Sequence, residues 1–144
     1  MGLEVFDYSV NVIAYEKNGK KYGMTCAWAM QVDYDKIVCL LGAQSQTGKH
    51  IMPKDIIGVS VLGKKQKEIA EQLGQNHSPE TDKFKGVNIK MDGTAVHIVD
   101  ATRILTCEVI DVVHLKEIEE DNLIYARILR HEENGDDFLH YGEF

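Results

Sequence analysis

Long hydrophobic runs are missing from this chain. No apolar stretch approaches the ~20 residues that a membrane-spanning helix needs, so no membrane partner is expected. Cysteine is scarce as well. Cys26, Cys39 and Cys107 are odd in number and show no C-x-x-C spacing. That excludes a disulfide framework and points to reduced thiols in a cytoplasmic protein. Cys39 and Cys107 lie in apolar runs and read as small hydrophobes. Basic residues are outnumbered, 16 Lys and Arg against 23 Asp and Glu, for a formal charge of −7. Such a balance neutralises phosphates poorly and argues against general nucleic-acid binding. The opening "MGLEVFDYSV" has neither a basic n-region nor a long apolar core, so no signal peptide is expected. Phe6 stands where N-myristoylation needs Ser or Thr.

Several catalytic signatures are absent too. The six histidines, at 50, 77, 97, 114, 131 and 140, include no H-x-H or H-x-x-x-H pair, and no metal site is expected. No serine sits in a G-x-S-x-G elbow, so covalent hydrolase chemistry has no anchor. The acidic "KEIEEDN" reads as a solvated turn. The stretch "KIVCLLGAQSQTGKH" suggests a nucleotide P-loop, but Gly42 to Gly48 is one residue too long and His50 replaces the Mg²⁺-binding hydroxyl. Pro53 follows too soon for the long helix a P-loop requires.

What is present reads as one domain over residues 1–144, mainly β. "YSVNVIAY" (8–15) and "YGMTCAWAM" (22–30) are strands joined at Asn18-Gly19, a hairpin turn signal. "KIVCLLG" (36–42) and "IIGVSVLG" (56–63) are continuous apolar runs, expected to be buried on both faces. "TGKHIM" makes one or two helical turns before Pro53. "KKQKEIAEQLGQ" (64–75) is the clearest helix, with Ile69, Ala70 and Leu73 as its stripe and Gly74 as its cap. Ser78-Pro79 suits the start of another short helix. "GVNIKM", "TAVHIV", "RILTCEVIDVVHL" (103–115) and "NLIYARILRH" (122–131) complete seven or eight strands. Tight turns imply antiparallel pairing. With so few helices for crossovers, a closed or partly closed barrel with one or two short inserted helices is expected.

Two stretches gain meaning together. In "YGMTCAW" and "AQSQTGKH", Thr25, Ser45 and Thr47 offer hydroxyls, Gly23, Gly42 and Gly48 allow close backbone approach, and Lys49 and His50 add positive charge. Hydroxyls and amides at a helix start can hold an anion without metal. Either stretch alone is an ordinary polar loop or strand, and Trp28 alone is an ordinary core or interface residue.

The order of these motifs resembles the flavin reductase-like family, FMN-binding split β-barrels. The likeness covers most of the chain. Gly23-Met24-Thr25-Cys26-Ala27-Trp28 is similar to a "GMT-A-S-W" strand. Ser45, Thr47 and Ile51 match the loop that follows the next strand. "IGVSVL" matches "F-V-V-N-V-L", with Ser60 at the Asn position. Asp82-Lys83-Phe84 supplies a "DKF" element, Cys107 a mid-strand cysteine, and "FLHYGEF" the closing segment. Ala27 stands for a serine, and Asp33 replaces the Ser of "S-x-D-P-P", whose prolines are gone.

The resemblance implies FMN as cofactor and a homodimer with flavin near the subunit interface. Cofactor contacts would come from Met24, Thr25, Cys26, Ala27, Trp28, Gln44, Ser45, Thr47, Lys49, His50, Ser60, Lys83 and Phe84. Ser45, Thr47 and neighbouring amides would grip the phosphate, with charge from Lys49 or His50. The 24–28 backbone would run beside the ring. Trp28, Phe84, Phe138 and Tyr141 would pack at the ring or the interface. The implied activity is reduction of flavin or a small acceptor by NADH or NADPH. The alternatives are an FMN electron carrier reduced by a redox protein partner, and a cofactor-free or haem-binding barrel. No side-chain acid or base is implied, because hydride transfer is the cofactor's own chemistry.

Overall fold

The computed structural model describes residues 5–75 and 83–143. Among the described residues nine strands form one sheet in the order β3-β4-β9-β8-β5-β1-β7-β6, with β2 on the other edge of β1. The strands are β1 (Asn11–Lys17), β2 (Lys20–Cys26), β3 (Ala29–Asp33), β4 (Lys36–Leu41), β5 (Ile56–Val61), β6 (Ile89–Asp92), β7 (Ala95–Ile98), β8 (Arg103–Val113) and β9 (Asn122–Glu133). Every ladder is antiparallel. The helices are α1 (Gln46–Lys49) and α2 (Lys67–Gln75).

β1 organises the molecule. Its Val, Ile, Ala and Tyr content suits a pleated surface buried on both sides. Ile13 and Tyr15 enter one core, with Cys26, Cys39, Leu41, Ile57, Cys107, Val109 and Ile124. Val10, Val12 and Ala14 enter a second core, with Leu62, Ala70, Leu73, Phe84, Val96, Ile98 and Leu139. The first core fills the barrel. The second lies outside it, under α2 and the β6–β7 hairpin. Asn18 and Gly19 both take positive φ, 54° and 76°, the geometry that matches a two-residue turn to strand twist.

The sheet curls until β2 approaches β4, while β2 and β3, consecutive in the chain, have no ladder between them. That is the split. At its end the Cys26 thiol of β2 reaches Leu40 O of β4 at 3.6 Å, while α1 lies against β2. Register shifts in the long β8–β9 pair, between Thr106 and Cys107 and between Val109 and Asp111, bend that ribbon around the core. The "FLHYGEF" segment does close the structure: Val10 N–H donates to Leu139 O at 3.2 Å, and Ser9 bridges His140.

Several expectations need correction. The strand drawn over 22–30 is two: β2 stops at Cys26 and β3 starts at Ala29, because the chain leaves β1 there to pair with β4. β4 is not buried on both faces. Ile37, Cys39 and Leu41 are buried and alternate with half-buried Lys36, Val38 and Leu40. β5 is buried on both faces across its centre, as expected. The 64–75 helix begins as a 3₁₀ turn at Lys64–Gln66. Gly74 lies inside α2 rather than capping it; a Cβ there would meet Thr25 at 3.5 Å, an ordinary van der Waals contact. The helix start expected at Ser78-Pro79 lies outside the described residues.

Candidate functional site

The loop leaving β4 folds back on itself at once. Ser45 N–H donates to Gly42 O at 3.0 Å. The Ser45 hydroxyl then accepts Gly48 N–H at 3.0 Å, capping α1. This leaves the N–H groups of Gln46 and Thr47 as first-turn donors without intrahelical acceptors. Ser45 Oγ also meets Met24 Sδ at 2.8 Å, which fixes the loop on β2. Tyr15 donates its hydroxyl to Thr47 O at 2.5 Å. From the β8–β9 connection, Asp121 Oδ1 accepts Ala43 N–H at 3.0 Å. The loop is therefore held from three sides. Ser45 and Thr47 are 6% and 2% exposed, and the Ser45 hydroxyl is engaged as a helix cap. Gln44, Lys49 and His50 are exposed.

A second group of candidates lies on the opposite face of β2. Thr25 donates to Ala70 O of α2 at 2.6 Å. Lys83 is half-buried, and its ammonium donates to Gly23 O at 2.9 Å and reaches Leu73 O at 3.5 Å. Burial holds the Lys83 pKa below its usual range. Among the described residues no carboxylate pairs with it, unlike Lys17, Lys21, Lys36 and Lys90. Phe84 covers Gly23 so closely that a Cβ there would stand 2.4 Å from its ring. Among the described residues β2 has a ladder only to β1, and its other edge carries no strand.

The remaining candidates separate. Cys26 is buried in the barrel core, its thiol pushed up to about 12 by burial; Cys107 behaves alike. Neither is a nucleophile at neutral pH. Trp28 lies 60% exposed beyond the end of β2, with Ala27 between. Ser60 is remote from the loop group: its hydroxyl accepts Ile98 N–H at 2.9 Å and fastens β7 to β5. Thus Met24, Ser45 and Thr47 gather on one side of β2, and Thr25, Lys83 and Phe84 on the other.

Residues that the sequence reading passed over hold this region together. Tyr15 and Tyr22 stack at 5.3 Å, and Tyr22 meets His50 at 4.9 Å. The Tyr pair was readable, because a two-residue turn at Asn18-Gly19 sets Tyr15 opposite Tyr22. Asp121 carries no local signal; it arrives through the β8–β9 connection. A cleft of about 550 Å³ lies elsewhere. Ile37, Val59 and Leu105 are among its lining, with Arg103 and Glu133, and none of the thirteen candidates reaches it.

The family model described as a flavin reductase like domain matches residues 3–143. The chain belongs to that family and is an oxidoreductase of the flavin-reducing class. Among solved structures it is similar to the NADH:FAD oxidoreductase SgcE6 of Streptomyces globisporus C-1027. That match has 19% identity and a TM-score of 0.78, over 89% of this chain and 76% of the other. The flavin reductase PheA2 aligns at 24% identity with a TM-score of 0.77, over 94% and 85%. A flavoredoxin from Methanosarcina acetivorans aligns at 16% with a TM-score of 0.77, over 92% and 73%. These likenesses carry the split-barrel fold. Comparison with curated protein sequences gave no match. No helix among the described residues is long and apolar enough to cross a membrane.

Proposed function

We propose that this oxidoreductase binds FMN along the free edge of β2, takes hydride from NADH or NADPH, and passes electrons to free flavin or a small acceptor. The observation that carries the reading is the seating of the 42–50 loop on β2 through Ser45 and Met24. It brings two separate family motifs to one place. The amides of Gln46 and Thr47 and the Thr47 hydroxyl would receive the phosphate, with Gln44 and Lys49 at its rim. The 24–28 backbone would meet the polar edge of the ring. Lys83, half-buried without a carboxylate among the described residues, fits an anionic group brought in by the cofactor. Bound FMN would supply the hydride chemistry itself, and the protein's part is binding and orientation.

The working unit in this reading is a homodimer. Trp28, Met30 and Val32 are 60%, 65% and 46% exposed along the edge strand β3. Beside them lie the half-buried Val38 and Leu40 of β4 and Leu123 and Tyr125 of β9. A contiguous apolar sheet face of this kind marks an interaction surface, and a second copy would cover it next to the flavin. The test is anaerobic mixing of the protein, FMN and NADH or NADPH. Bleaching of bound flavin is expected. Binding without bleaching overturns the reductase reading and leaves an electron carrier reduced by a partner protein. Absence of binding overturns the FMN reading.

A further inference from the structure

The 42–50 loop cannot keep its shape unaided. α1 is four residues long, and a single helical turn in isolation is unfavourable. Two contacts from the scaffold pin its two ends. At the first end, Asp121 Oδ1 accepts Ala43 N–H at 3.0 Å. Asp121 is itself fixed through its backbone: its N–H donates to Ile118 O at 3.0 Å, and its carbonyl meets His114 Nδ1 at 3.2 Å. At the second end, the Tyr15 hydroxyl donates to Thr47 O at 2.5 Å. That carbonyl lies in α1, among the terminal groups for which a short helix has no donor of its own. Tyr15 is 1% exposed, and its ring stacks on Tyr22 at 5.3 Å. Burial pushes its hydroxyl well above the usual tyrosine range, so at neutral pH it remains a donor.

We infer that Tyr15 and Asp121 are positioning residues that set the protein's preference for a phosphorylated flavin: they hold the two ends of the loop, so that the donors at Gln46 and Thr47 meet the phosphate in one fixed arrangement. Recognition by directed hydrogen bonds needs donors held to within about 0.5 Å of place. The loop's own turn does not supply that precision; β1, through Tyr15, and the β8–β9 connection, through Asp121, do. Asp121 acts here by geometry and not by charge, since a carboxylate near an anionic ligand is unfavourable by charge alone. The inference rests on the flavin reading for the place of the phosphate.

The probes are FMN and riboflavin, which differ only in the phosphate, each titrated into the full chain while flavin fluorescence is followed. The wild type is expected to bind FMN more tightly. Tyr15→Phe keeps the stacked ring and loses the hydroxyl; Asp121→Ala loses the acceptor. Each is expected to weaken FMN about tenfold, the equivalent of one buried hydrogen bond, and to leave riboflavin unchanged. Asp121→Asn keeps an oxygen for Ala43 N–H and is expected to bind FMN as the wild type does. A merely structural role would weaken both flavins together, and that result overturns the inference. So does an unchanged FMN-to-riboflavin ratio in either Tyr15→Phe or Asp121→Ala, or tighter FMN binding in Asp121→Ala, which would show the carboxylate acting by charge. If Tyr15→Phe does not fold, the contrast between Asp121→Ala and Asp121→Asn decides. A wild type that binds the two flavins equally overturns the phosphate reading and the inference with it. A wild type that prefers FMN, with variants that keep the preference, leaves that reading standing and overturns the inference alone.

Discussion

The loop end of the barrel and the flank where the β6–β7 hairpin meets β8–β9 are two polar regions of this protein built on opposite plans. At the flank, charges are engaged with one another. Arg130 holds Asp92 through two contacts, at 2.8 and 3.1 Å. Thr106 donates to Asp92 at 2.7 Å and therefore accepts from His97 Nε2–H at 3.1 Å, which also reaches Leu105 O. Lys90 pairs with Glu132 at 2.9 Å. At the loop end the fixing contacts use carbonyls, capping hydroxyls and one carboxylate. Amides and lysines there remain available. Charge density alone thus points to the flank, away from the site proposed above. A binding site is better sought where donors are fixed in place and still unanswered.

Substitutions can break or sharpen this contrast. The largest effect is expected from Gly58→Ala at the flank. A Cβ there would stand 2.3 Å from Val96 O, and backbone cannot step aside as a side chain can. Overpacking of this kind costs about 1–3 kcal/mol or more, readable as a lowered urea midpoint. Next comes Thr47→Ala at the loop end. Losing a charge-assisted hydrogen bond of roughly 1.5–3 kcal/mol raises the FMN dissociation constant about ten- to a hundredfold. An unchanged constant removes Thr47 from the site.

The flank should also respond to acid. Burial holds folded His97 below its ordinary 6.5, so the unfolded chain takes up that proton first. Stability is complete above pH 6.5 and falls as pH drops from there toward the folded value. Arg130, then Thr106, hold Asp92 below its ordinary 3.8, so a second loss begins below pH 3.8. Urea midpoints across this range should show the first step in the wild type and not in His97→Gln. The smallest effect is expected from Lys90→Ala. Its pair with Glu132 is exposed on both sides, and such pairs contribute little. A midpoint shift as large as that of Gly58→Ala would overturn the ranking.

The contrast also explains what could be read in advance. The first hairpin announced itself through Asn18-Gly19, because that two-residue turn needs positive φ. The core stripe of α2 followed from the spacing of Ile69, Ala70 and Leu73. The break at Ala27 and Trp28 was not legible. A strand that changes partners keeps its β-rich composition, and only the arrival of β4 shows where the change occurs. The candidate residues were found as motifs, but their grouping was not. Strand alternation places Met24 and Thr25 on opposite faces, yet which face meets α1 and which meets α2 depends on long-range closure. Ser60 illustrates the limit. It matches a family position, while here its hydroxyl fastens β7.

β1 leaves the ribosome before its partners, since its inner neighbours come from β5, β8 and β9 and its outer ones from α2, β7 and Leu139. Neither core can be completed until nearly the whole barrel has been synthesised. Nascent chains should therefore carry a bare, β-prone segment around Val10–Tyr15 for most of translation, exposed to mispairing. Arrest at any codon before Leu139 is expected to leave that segment sensitive to protease.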